Sequence, residues 1–126
     1  MPHTITYNSK ESVIEINIQG DLFLNEIKEI VTEVIQIAKE QNCLLVLNDM
    51  RESTMKLSIV EIYELPKIIL DISVSLGLDA RKFKRAFVAE KDLKDYDFFE
   101  TVTFNRGQHA KLFDDVDEAK KWLFGK

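Results

Sequence analysis

Apolar and polar residues alternate from Val13 to Gln19. Ile14, Ile16 and Ile18 fall on one side, Glu15, Asn17 and Gln19 on the other. A period of two is that of a strand with one buried and one wet face. Thr4-Ile5-Thr6-Tyr7 reads as a shorter strand, and Asn8-Ser9-Lys10-Glu11 has turn chemistry. The two segments predict an antiparallel hairpin at one side of a sheet, and Gly20-Asp21 closes its second strand. The period then changes. Ile27, Ile30, Val31, Val34, Ile35 and Ala38 recur at spacings of three and four, one stripe of a helix that Asn25 would cap and Gln41-Asn42 would end. Leu44-Leu45-Val46-Leu47 is an unbroken apolar run, which suits a strand covered on both faces, as in a parallel sheet.

A polar loop is expected after this strand, carrying Asp49, Arg51, Ser53 and Thr54 to a second helix. Ser58 has the marks of that helix's N-cap, with Glu61 three residues on as in a capping box. The helix should run from Ile59 to Leu76 and stop at Gly77, with a kink or break near Leu65 imposed by Pro66. It has two apolar stripes. Ile62, Leu65, Ile69, Ile72 and Leu76 make one; Ile59, Tyr63, Leu70 and Val74 make the other. Either a neighbouring element covers the second stripe, or Tyr63, Leu70 and Val74 form an exposed patch for a partner, a second copy or a lipid. Arg81-Lys82-Phe83-Lys84-Arg85 reads as a solvated turn before a second buried strand, Ala86 to Ala89. Asp92 to Arg106 reads as a helix buried through Phe98, Phe99 and Val102, and Gly107 stops it. Ala110 to Phe113 is the last strand. Asp115 and Glu118 open a final helix anchored by Ala119, Trp122 and Leu123. The order β-β-α-β-α-β-α-β-α predicts a single α/β domain spanning residues 1–126, with a mostly parallel sheet of about five strands and an antiparallel N-terminal strand.

Composition narrows the function classes. The chain has 126 residues and a net charge of −5, which argues against a nucleic-acid surface. Its one cysteine, Cys43, reads as a small core residue and allows no internal disulfide, which fits a reducing, cytoplasmic compartment. Met1-Pro2-His3-Thr4 carries no basic region followed by an apolar run, so no signal peptide is expected. Glu61, Glu64, Lys67 and Asp71 interrupt the most apolar window and exclude a membrane span. His3 and His109 are the only histidines, and no Cys/His/carboxylate cluster has zinc spacing. There is no glycine-rich phosphate loop and no nucleophile elbow. No cofactor is implied, and the chain carries no strong catalytic signature.

One constellation remains: Asp49, Arg51, Ser53, Thr54 and Ser58, at the C-terminal end of the central strand, where open α/β sheets dock ligands and partners. Hydroxyls at a helix N-terminus are well placed for phosphorylation, because the added charge meets the dipole and free N–H groups. The plainer reading is that Ser58 caps the helix and Asp49 and Arg51 bond locally.

Several stretches carry a family resemblance: Val46-Leu47-Asn48-Asp49-Met50-Arg51, Ile62-Tyr63-Glu64-Leu65-Pro66, Arg85-Ala86-Phe87-Val88, Asn105-Arg106-Gly107 and Asp117 to Leu123. In this order and spacing the chain resembles the STAS/SEC14-type domains of the SpoIIAA-like family over nearly its whole length. The resemblance implies strands in sequential order with helices packed on the sheet. It also implies a non-enzymatic, protein-binding regulatory module like the anti-sigma-factor antagonists, with a protein partner that could be a second copy. In those relatives a serine at the start of this second helix is the switch, within an Asp-Ser-Ser/Thr-Gly pattern. Ser58 falls near that place, but Lys56-Leu57-Ser58-Ile59 lacks the aspartate and the glycine. The alternative, resting on SEC14-type relatives, is a carrier or sensor of a lipid or other small apolar ligand, with Phe98 and Phe99 at the cavity. A third reading is an enzyme with Asp49 and Arg51 at its site.

Overall fold

The predicted hairpin forms. β1 (His3–Asn8) and β2 (Val13–Leu22) pair antiparallel, with Ile5 opposite Ile16 and Tyr7 opposite Ile14. The side chain of Asn8 holds the turn by accepting from the backbone N–H groups of Lys10 and Glu11. The computed structural model describes residues 3–90 and 109–125. The helix expected from Asp92 to Arg106, with Phe98 and Phe99, lies outside the described residues.

Beyond the hairpin the sheet is parallel. β3 (Leu45–Met55) lies beside β2, β4 (Lys84–Val88) beside β3, and β5 (His109–Phe113) beside β4. The strand order is therefore the chain order. The connecting helices are α1 (Leu24–Gln41), α2 (Ile59–Ser75) and α3 (Val116–Leu123), with a short 3-10 turn at Ala80–Lys82. Alternation along the strands feeds two cores. Ile14, Ile16 and Val46 pack with Ile35 of α1 and with Ile62 and Leu65 of α2. On the other face Val13, Leu47, Ala86 and Val88 pack with Ala119 and Leu123 of α3.

The structure corrects five details of the sequence reading. The expected loop after the buried run is strand, since β3 continues through Asp49, Arg51, Ser53 and Thr54 to Met55. The cause is β2, which does not close at Gly20-Asp21. It runs on to Leu22 and supplies ladder partners, Gly20 opposite Ser53 and Leu22 opposite Met55. Gly20 holds a φ of 80°, which few side-chain-bearing residues adopt within a strand. The register shifts between Asn17–Asp49 and Gln19–Glu52, so β3 carries a bulge around Met50-Arg51.

α1 begins at Leu24, one residue before the predicted cap. Phe23 takes the N-cap position with no side-chain hydrogen bond. α2 runs unbroken through Pro66, which is buried against the core. Its missing N–H leaves one carbonyl of the first turns without a helical partner, yet the packing of Ile62, Leu65 and Ile69 on either side holds the helix together. The solvated turn expected at 81–85 is solvated only at Arg81 and Lys82; Phe83 and Arg85 are buried. Burial pulls the Arg85 guanidinium down to about 10.

Within that turn, Arg81 bonds the Asp79 carboxylate with its side chain and its backbone N–H. These bonds hold Asp79 at about 2, below its ordinary 3.8. A depressed folded pKa contributes stability that is fully present above the unfolded value and lost as pH falls through the folded one. The melting temperature is therefore expected to fall between about pH 4 and about pH 2. In Asp79→Asn that fall should be shallower, read by thermal unfolding across a pH series; an unchanged slope would remove Asp79 from the account.

Candidate functional site

The residues picked out on either side of the β3–α2 connection separate into two places. Ser58 caps α2. Its Oγ accepts from the Glu61 N–H at 3.1 Å, and the Glu61 carboxylate accepts from the Ser58 N–H at 2.9 Å. The capping box is complete, so the hydroxyl already serves the helix end. Asp49 and Arg51 instead lie on the opposite face of the sheet, beside Val116 and Lys120 of α3. The Arg51 guanidinium donates to both Asp49 oxygens, at 2.9 and 2.7 Å. This fork lowers the Asp49 carboxyl and raises Arg51. Ser53 is buried and donates to the Met50 carbonyl at 2.9 Å. Thr54 is exposed between the buried positions Ser53 and Met55. The structure thus brings Asp49 and Arg51 together and leaves Ser58 apart from them.

The second stripe of α2 divides as well. Ile59 is 70% exposed, Tyr63 50% and Val74 56%, while Leu70 is half-buried against the core. Val60, 70% exposed, joins the exposed set. Phe23, at the start of α1, is exposed too. It follows Leu22, whose carbonyl accepts from the Lys56 N–H at 2.8 Å, so the approaches to α1 and α2 are tied together. Sequence reasoning missed Val60 and Phe23 because neither falls on a stripe; Val60 lies in the first turn of α2 and Phe23 at the N-cap of α1, where no preceding turn covers them.

The interior between the sheet, α1 and α2 holds an apolar cavity of about 80 Å³, lined by residues such as Ile16, Val31, Met50 and Leu65, with Asn48 and Arg85 at its polar corner. Ligand pockets are usually at least about 300 Å³. Among the described residues no group of three or more His, Cys, Asp and Glu could hold a metal ion. No described helix is long and apolar enough to cross a membrane.

A second buried charged residue, besides Arg85, escaped the sequence reading. Glu26 is 1% exposed, and its Oε2 lies 3.4 Å from Nδ1 of His3. The other nitrogen of His3 lies 3.5 Å from Glu33. Both positions could have been found: Glu26 stands one turn before Ile30 on the buried stripe, and His3 shares the inward period of Ile5 and Tyr7. The pair ties the start of β1 to α1.

No family model matches the chain, and no curated protein matches it. Solved structures do. The chain is similar to an uncharacterized protein of the DUF3478 family with a SpoIIAA-like fold from Shewanella loihica PV-4, at 18% identity and a TM-score of 0.59, over 96% of this chain and 93% of that one. It is similar to an anti-sigma factor antagonist from Mycobacterium paratuberculosis at 12% identity and a TM-score of 0.58, over 98% and 97% of the two chains. Identities this low speak for the fold alone. The chain, with five strands in chain order, one antiparallel pair and helices on both faces, has a SpoIIAA-like fold.

Proposed function

We propose that this chain is a non-enzymatic regulatory module that binds a protein partner through the exposed apolar side of α2, centred on Ile59, Val60 and Tyr63. The observation that carries the reading is the exposure of these three neighbouring side chains on a helix whose other stripe is buried in the core at Ile62, Leu65 and Ile69. Burying such groups against a partner is worth roughly 25 cal/mol per Å² of apolar surface, and a tyrosine adds a large, stiff contact. The likeness in fold to an anti-sigma factor antagonist supports a protein as the partner. The buried free thiol of Cys43 is consistent with work in the cytoplasm. Carriage of a lipid is the weaker reading, because the apolar cavity is a fraction of the volume a lipid needs.

The test is association in native mass spectrometry and sedimentation, with the chain alone and with its host's soluble proteins. Tyr63→Ser should abolish the complex, whether with another protein or a second copy, while leaving the melting temperature within about 2 °C, as for a surface change. A complex that survives both Tyr63→Ser and Val60→Ser would place the docking surface elsewhere.

A further inference from the structure

On one side the sheet ends at β1, whose outer edge has no strand beside it among the described residues. Every second residue of an edge strand turns its N–H and C=O outward, so β1 offers a row of open main-chain groups. Natural edges are commonly blocked by lysine, proline or a bulge. His3-Thr4-Ile5-Thr6-Tyr7-Asn8 contains neither lysine nor proline. Its register with β2 runs without a shift from His3–Ile18 to Asn8–Val13.

The core is also unfinished along this edge. Ile5 and Tyr7 share the α1 side with Ile14 and Ile16, yet both stay half-buried. The row of α1 that borders them is Glu26, Ile30, Glu33 and Ile37, because His3 reaches both Glu26 and Glu33. β2 and β3 are parallel, so α1 returns against β2 and runs in the direction of β1. Ile37 therefore stands further along the edge, toward Tyr7, and it too is half-buried. Open main-chain groups and three partly covered apolar side chains thus lie along one edge.

We propose that two copies of this chain join antiparallel through β1, about a twofold axis normal to the sheet, independently of the α2 surface. Strand geometry points to a second copy. In an antiparallel pair, a residue with its main-chain groups outward meets another of the same set, and residues of one set share a face. Self-pairing of β1 therefore sets like beside like. Centred on Ile5, the register joins Ile5 to Ile5, Thr4 to Thr6 and His3 to Tyr7, and leaves Asn8 to hold its turn. No charged side chain of β1 meets its like, since His3 is its one ionisable group besides the tyrosine. The apolar strip of each copy adjoins the same strip of the other, as an isologous interface requires.

The experiment is sedimentation equilibrium of the intact chain from micromolar to millimolar concentration, with amide hydrogen exchange read by NMR on the same samples. A dimer mass is expected, with protection that rises with concentration at alternate β1 amides, those that point away from β2. Thr4→Lys combined with Thr6→Lys, both at exposed positions, sets lysine opposite lysine twice across the axis. It should raise the dissociation constant about two- to thirtyfold, less at high salt. The wild-type exchange pattern decides the case even where that variant folds poorly. Tyr63→Ser, which removes the α2 complex, should leave this dimer and its β1 protection unchanged, so the two readings fail separately. A monomer at every concentration, β1 protection indifferent to concentration, a dissociation constant indifferent to the lysine pair, or loss of the dimer in Tyr63→Ser would each overturn the proposal.

Discussion

Replacing Ile62 with alanine is expected to cost about 2–5 kcal/mol of folding stability. Ile62 is fully buried where α2 meets the sheet, in the same cluster as Ile14, Ile35 and Val46. Truncation removes three carbons from that contact. The void cannot collapse easily, because the neighbouring Pro66 and Leu65 are themselves locked against the core. For a chain of 126 residues the loss should appear as a drop of roughly 5–20 °C in melting temperature, with a lowered urea midpoint and an unchanged denaturant slope. Tyr63, the next residue, is the control. Its substitution by serine should leave stability nearly unchanged and act on association instead. One helix then carries two separable functions on two faces, and a pair of adjacent variants tells them apart. Equal stability losses in the two would mean that Tyr63 belongs to the core.

Enlarging Ala119 to leucine should be the second large effect, about 1–3 kcal/mol. Ala119 and Ala86 are both fully buried, so α3 sits on the sheet through small side chains at close range. Three added carbons have nowhere to go without lifting the helix. α3 spans only Val116–Leu123, too short to be stable in isolation, and depends on that seat. Its last turn is also held from β4. The Lys84 ammonium donates to the carbonyls of Trp122 and Leu123 and lies 4.6 Å from the centre of the Trp122 ring. Trp122 is the sole tryptophan, so its fluorescence reports the docking of α3 directly. A red shift in emission together with a lowered melting temperature is the expected result. A variant with native emission and native stability would show that α3 is not seated on Ala86.

Much of this fold is legible along the chain. The hairpin shows in the alternation of Ile14, Ile16 and Ile18, α1 in its stripe, and the start of α2 in the spacing of Ser58 and Glu61. These features are local, and local patterns read well. What stayed hidden depends on partners distant in sequence. Arg51-Glu52-Ser53-Thr54 looks like a loop because its residues are polar, and it becomes strand only because Gln19 to Leu22 lies alongside. Arg85 looks like part of a wet basic run until β4 turns it inward toward Asn48 and Phe87. The constellation of Asp49, Arg51, Ser53, Thr54 and Ser58 is contiguous in sequence but not in space, since a strand sends successive side chains to opposite faces. Asp49 and Arg51, two residues apart, share one face, and the bulge at Met50-Arg51 sets Ser53 on the other.

Because the strands stand in the sheet in the order in which they occur in the chain, the domain can be assembled vectorially during synthesis. Each new strand adds to the growing edge, and none has to be threaded between two already paired. β1 and β2 come first as a hairpin, with the shortest loop to close, and seed the rest. The two faces are not finished together. α1 and α2 are made early and cover their side as it forms, whereas α3 is made only after all five strands. Until it arrives, Val13, Leu47 and Val88 lack the cover of Ala119 and Leu123 on the other side. That half-built layer is the stage at which a nascent chain is most exposed to aggregation and to capture by a chaperone.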